Sequence, residues 1–172
     1  MNDDEATLVR TGERPILRFR RHLRQPVEAV RRAVTDPVEM RSWFPTRIEI
    51  DEWKVGATMT HHFDGQELDP LPGVVLAWDP PRRVSFTWGD DTIGFDLAAS
   101  PEGGTVFELA EQLVAHHVAR NAAGWETCLD HLEERSQGPD WQEPFEQYVA
   151  IFEPVLGHQE GPPAQHRATT AG

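Results

Sequence analysis

The chain has 172 residues, enough for one domain with a sizeable core, and six Trp and eight Phe give that core bulk. A formal charge of −13 with His neutral argues against nucleic acid and anionic membranes as partners, since both need a basic face. The single cysteine, Cys128, excludes an intramolecular disulfide and a multi-cysteine zinc site.

Residues 1–12 are polar and read as a frayed terminus, residues 13–156 as one folded body, and residues 157–172 as a disordered tail rich in Gly, Pro and polar groups. The acidic start MNDDEAT has no signal-peptide core, and no apolar run approaches membrane-spanning length. A soluble, cytoplasmic protein is therefore expected.

Arg14–Arg24 alternates and reads as a first strand, with Leu17, Phe19, Arg21 and Leu23 on one side and Ile16 and Arg18 on the other. As the densest basic run of the chain it is expected to be solvated. Pro26 fits a first helical position, followed by the stripe Val27, Val30 and Val34. Asp36-Pro37-Val38-Glu39 is a second helix start, with Asp36 as cap and Glu39 reaching back. That helix carries Met40, Trp43 and Phe44 and stops at Pro45. Strand-like runs follow at Arg47–Asp51, Ala57–Phe63, Gly73–Trp78, Arg83–Trp88, Thr92–Ala98 and Thr105–Val114, with Gly, Pro and Asp at the turns between them. Val84, Phe86 and Trp88 share a face; so do Ile93, Phe95 and Leu97, and so do Phe107, Leu109 and Leu113.

Val114–Gly138 reads as one long amphipathic helix, with Val118, Ala122, Trp125, Leu129 and Leu132 on its apolar face and Gly138-Pro139 as its stop. Gly124 costs this helix about 1 kcal/mol relative to Ala, which suggests a close approach to the sheet beside Trp125. Phe145, Tyr148, Val149 and Phe152 make a second, shorter stripe that stops before Pro154. With no βαβ alternation, the order points to an α+β fold: a curved antiparallel sheet of about six or seven strands around the long helix, with two short helices after strand one.

Several strings resemble one family in their order. They are Pro26-Val27-Glu28-Ala29-Val30, Arg41-Ser42-Trp43-Phe44, Gly73-Val74-Val75-Leu76, Asp79-Pro80-Pro81-Arg82-Arg83-Val84, Phe86-Thr87-Trp88, Gly124-Trp125 and Cys128-Leu129. Over about residues 14–156 the chain resembles the helix-grip (START/Bet v 1-like, SRPBCC) superfamily, in its branch related to the C-terminal domain of the Hsp90 ATPase activator. The resemblance implies a cavity between the long helix and the sheet, and a function in ligand binding, cyclisation or hydrolysis, or co-chaperone work.

Trp43, Phe44, Phe63 and Phe86 are candidates to line such a cavity, as are Trp88, Phe95, Phe107 and Trp125. Strand parity places His61 inward with Met59 and Phe63, and His62 outward. His117 and Asn121 are four apart on one helix face, where they could hold a ligand or act as a base. Glu111 shares parity with Phe107 and Leu109, and its facing is left open, whereas Glu108 reads as solvated. Cys128 reads as a buried, inert thiol. Ser42, Ser85 and Ser100 show no nucleophile elbow. Without HExxH or a Cys/His cluster no metal is expected, and no cofactor either.

The first functional reading is a non-catalytic protein holding a small apolar or aromatic ligand. An enzyme of the cyclase, dehydratase or hydrolase kind, using His61, His117, Asn121 or Glu111, is the second. A co-chaperone of Hsp90 type is the third. A homodimer is admissible, and a chaperone partner is ranked last.

Overall fold

The computed structural model describes residues 6–10, 12–133 and 142–162. The elements run β1 (Thr7–Val9), β2 (Ile16–Leu23), α1 (Val27–Thr35), α2 (Pro37–Met40), β3 (Arg47–Glu49), β4 (Thr58–His62), β5 (Leu71–Asp79), β6 (Arg83–Trp88), β7 (Asp91–Ala99) and β8 (Thr105–Gln112). A 3-10 turn at Ala115–His117 then leads into α3 (Val118–Leu132), and α4 (Gln142–Leu156) follows. One antiparallel sheet of eight strands has the order β1-β2-β8-β7-β6-β5-β4-β3. This is the expected α+β helix-grip architecture, with one strand more than expected.

The extra strand is β1, which lies inside the segment read as frayed. Leu8 sits opposite Leu17, so β1 pairs the backbone groups that β2 would otherwise leave open at the sheet edge. Its three residues are too few to show a period in sequence.

Alternation builds the sheet. Leu17, Phe19 and Leu23 of β2 are buried while Arg18 and Arg20 are exposed. Arg21 has the inward parity and is buried, contrary to the expectation of a solvated basic run. Its Nε lies 3.1 Å from the Glu133 carboxylate beyond the last residue of α3, so the charge goes inside with a counter-charge.

Pro26 stands one place before α1 rather than inside it. Asp36 caps α2 by accepting from Val38 N–H at 2.9 Å. Glu39 does not close the capping box; it leans toward Arg32, 3.7 Å away. The helix ends at Met40, and the chain then turns with the N–H groups of Trp43 and Phe44 both on the Met40 carbonyl. That turn drives two aromatic rings into the interior.

The apolar face of α3 is buried as its period predicts, through Val118, Ala122, Trp125, Leu129 and Leu132. Gly138 and Pro139 lie outside the described residues. Gly124 is not at a close approach: beyond its chain neighbours and its own helix backbone, no atom lies within 4 Å of where its Cβ would be. It is Trp125 that faces the sheet, against Phe44 and Trp88.

The fourth helix does not stop before Pro154. It is as long as α3, at 15 residues, and runs through the proline to Leu156. The carbonyl that Pro154 cannot serve belongs to exposed Ala150, where water can reach it. Tyr148 and Phe152 stack on each other at 5.7 Å, and Tyr148 meets Phe19 of β2 edge-on.

The tail reading fails over its first residues. Gln159 is buried, and its side chain accepts from Ala119 N–H at 3.0 Å and donates to Ala115 O at 3.1 Å. Ala119 N–H is one of the donors that a helix start leaves without an intrahelical partner, which is why a glutamine can clasp there. Residues 163–172 lie outside the described residues. Among the described residues, no helix is long and apolar enough to cross a membrane.

Candidate functional site

Phe44 is the hub of the interior. Its ring packs within 6.5 Å, centre to centre, of Trp43, Phe86, Trp88, Phe95 and Trp125. Phe86, Phe95 and Phe107 have no accessible surface, and Met59 and Trp43 almost none. A void that admits water would leave accessible surface on its lining, so these side chains pack on one another. The half-exposed members of the expected set are Phe63, Trp88, His117 and Asn121.

Two polar side chains sit inside this aromatic interior, each at 0% exposure. His61 points inward from β4, as strand parity requires. Its Nε2–H donates to Thr87 O at 3.1 Å and its Nδ1 accepts from the Thr46 hydroxyl at 3.2 Å, the only arrangement in which a carbonyl accepts. Burial pushes its pKa down to about 4, so the ring is neutral. Gly73 makes the space: a Cβ there would lie 2.5 Å from Thr87 O and 2.8 Å from His61 Nε2.

Glu111 points inward from β8, which decides the facing that sequence left open. Its cross-strand neighbours are Leu17 and Ile93. Trp125 Nε1–H donates to one carboxylate oxygen at 2.7 Å, and Asn121 Nδ2–H to the other at 2.9 Å. Burial pushes the pKa up to about 7; the two donors from α3 oppose that shift, and Asp91 reinforces it. The carboxyl group thus stands near the midpoint of its titration at neutral pH, the condition a general acid or base needs.

A further buried polar atom lies on β6. Trp88 Nε1 is buried and finds no acceptor among the described residues. Its ring lies 6.4 Å from Trp125 and 6.3 Å from Phe63. An orphan donor of this kind is rare in folded proteins and asks for an acceptor.

The structure separates His117 from Asn121. Asn121 turns to Glu111, whereas His117 turns to Glu160, 3.4 Å away. His62 is outward and meets Glu49 at 3.0 Å, and Glu108 is exposed. Burial pushes the Cys128 thiol up to about 12, so it is no nucleophile at neutral pH. Trp88 was expected as a ring lining a cavity; its unpaired N–H has no sequence signal. The other missed residue is Gln159, whose clasp joins segments far apart in the chain.

The family model described as "Activator of Hsp90 ATPase homolog 1-like protein" matches residues 24–137, more than half of the chain. The chain belongs to this family. No curated protein matches it in sequence. Among solved structures, a conserved protein of unknown function from Enterococcus faecalis is similar at 18% identity and TM-score 0.74, covering 87% of this chain and 91% of that one. CalU16 from Micromonospora echinospora is similar at 22% identity and TM-score 0.65, covering 88% and 94%. DynU16, from the dynemicin biosynthetic locus, is similar at 25% identity and TM-score 0.58, covering 69% and 46%. These likenesses carry the helix-grip fold. Fold does not fix function, and the side chains must argue the rest.

Proposed function

We propose that this protein binds a small, largely apolar or aromatic molecule carrying one hydroxyl or carbonyl group, at the rim of the interior beside Phe63 and Trp88. The supporting observation is a buried Trp88 N–H that finds no acceptor among the described residues, at the partly exposed edge of an aromatic interior. A hydroxyl or carbonyl oxygen placed there accepts from Trp88 Nε1. Phe63 and Trp88 supply the half-exposed apolar wall. Because the deeper rings already fill the interior, entry requires the side chains of this rim to move.

Native mass spectrometry and thermal-shift measurements with a panel of phenols, aryl ketones and fatty alcohols test the reading. A hydroxyl- or carbonyl-bearing binder is expected, with Trp88→Phe weakening it about tenfold, the size of one hydrogen bond to a buried donor. A panel without any binder, or one whose binder is indifferent to Trp88→Phe, overturns it.

The pKa of Glu111 also favours a catalytic second reading, in which its carboxylate takes a proton from the bound molecule and Asn121 steadies it. Turnover of a carbonyl-containing binder would then follow an apparent pKa near 7 and disappear in Glu111→Gln. Binding without turnover leaves the first reading standing alone.

A further inference from the structure

The start of α3 carries a second cluster that the ligand reading does not use. The 3-10 turn brings the imidazoles of His116 and His117 together, ring centres 4.4 Å apart. Glu160 reaches over both. His117 Nε2 lies 3.4 Å from one carboxylate oxygen and His116 Nε2 lies 3.8 Å from the other. One ligand-type atom from each of the three residues falls within 4.8 Å of the others. The placement is held from below: Gln159 is buried and clamped to Ala119 N–H and Ala115 O, and Glu160 N–H donates to His116 O at 2.9 Å.

The spacing is the informative quantity. Two atoms each about 2.0 Å from a tetrahedral ion lie about 3.3 Å from each other. The observed 3.4 and 3.8 Å run to different oxygens of the Glu160 carboxylate, and the three donor atoms lie within 4.8 Å of one another, so small side-chain rotations would close the set around an ion. Two imidazoles and one carboxylate are the donors a borderline divalent ion prefers, and three protein ligands leave a fourth position for water. We infer that His116, His117 and Glu160 form a site for one divalent transition-metal ion of the zinc type, fastening the segment after α4 to the start of α3.

One local charge opposes the site. Arg120 faces Glu160 and competes for it, and its guanidinium reaches Gly161 O at 3.5 Å. The bound ion would therefore have to displace part of that attraction. The reading is independent of the Glu111 cluster, one turn further along α3.

The test uses the full chain without a polyhistidine tag. Zn2+ is titrated by calorimetry, and Co2+ by its visible absorption, which reports tetrahedral geometry. One ion per chain is expected, with affinity at least about tenfold weaker in His117→Ala and in Glu160→Gln, and unchanged in His158→Ala. All three positions are at least partly exposed, so the variants should fold, which circular dichroism checks. Hydrogen exchange at the Ala119 and Glu160 amides should slow when Zn2+ is added to the wild type. Equal affinity in wild type, His117→Ala and Glu160→Gln overturns the site. So does loss of binding in His158→Ala.

Discussion

His61 on β4 and Glu111 on β8 are both fully buried, but their charges are handled in opposite ways. His61 is closed: both ring nitrogens are paired, the ring is neutral, and Gly73 gives it a fitted slot. Glu111 is held by two neutral donors, between Leu17 and Ile93, with its proton near balance at neutral pH. A buried group settled in one protonation state serves the architecture. One held at the edge of two states is available for work.

The sharpest way to break this comparison is pH. Glu111 has its folded pKa raised from 4.5 to about 7, so its contribution to stability is full below 4.5 and is lost as pH rises through 7. Glu111→Gln is therefore expected to be more stable than the wild type by about 3 kcal/mol at pH 8 and equal to it near pH 4.5, read by urea denaturation. A variant no more stable at pH 8 would mean that the carboxylate is a compensated structural acceptor.

His61 runs the other way. Its folded pKa is lowered from 6.5 to about 4, so its contribution is present above 6.5 and lost as pH falls through 4. Across that window the wild type should lose about 3 kcal/mol that His61→Gln does not lose. Between pH 4.5 and 6.5 the two groups offset each other. The wild type should be nearly flat there, and each single variant should uncover the slope of the other.

Smaller effects sharpen the contrast. Gly73→Ala pushes a Cβ into the Thr87 carbonyl and the His61 ring, and should cost about 2 kcal/mol or more by overpacking. A neutral result by thermal denaturation would show that the His61 slot yields. Gly124→Ala meets open space on α3 and should gain about 1 kcal/mol. A loss there would mean that α3 needs its glycine beside Trp125.

Most of the fold, and the inward facing of His61, could be read from the chain because burial follows a period of two in strands and 3.6 in helices. The same parity put Glu111 with Phe107 and Leu109. What parity cannot supply is a partner. Glu111 meets Trp125 and Asn121 only because β8 and α3 fold back on each other. Gln159 reaches Ala115 and Ala119 across α3 and α4, and no local pattern marks a lone glutamine in a polar segment. Thr7–Val9 was missed for the opposite reason: three residues carry no period, and an open edge on β2 recruits them.

The neighbourhood of β2 and β8 also bears on how the molecule assembles in time. The pairings from β3 to β8 each join strands adjacent in sequence, and can close as successive hairpins while the chain is being made. β2 is synthesised before all of them, but its partner is β8, with Leu23 opposite Thr105 and Ile16 opposite Gln112. Until β8 emerges, Leu17, Phe19 and Leu23 have no sheet to lie against. This early stretch is thus the last of the large strands to find its place, and the one a growing chain must keep from misassociating the longest.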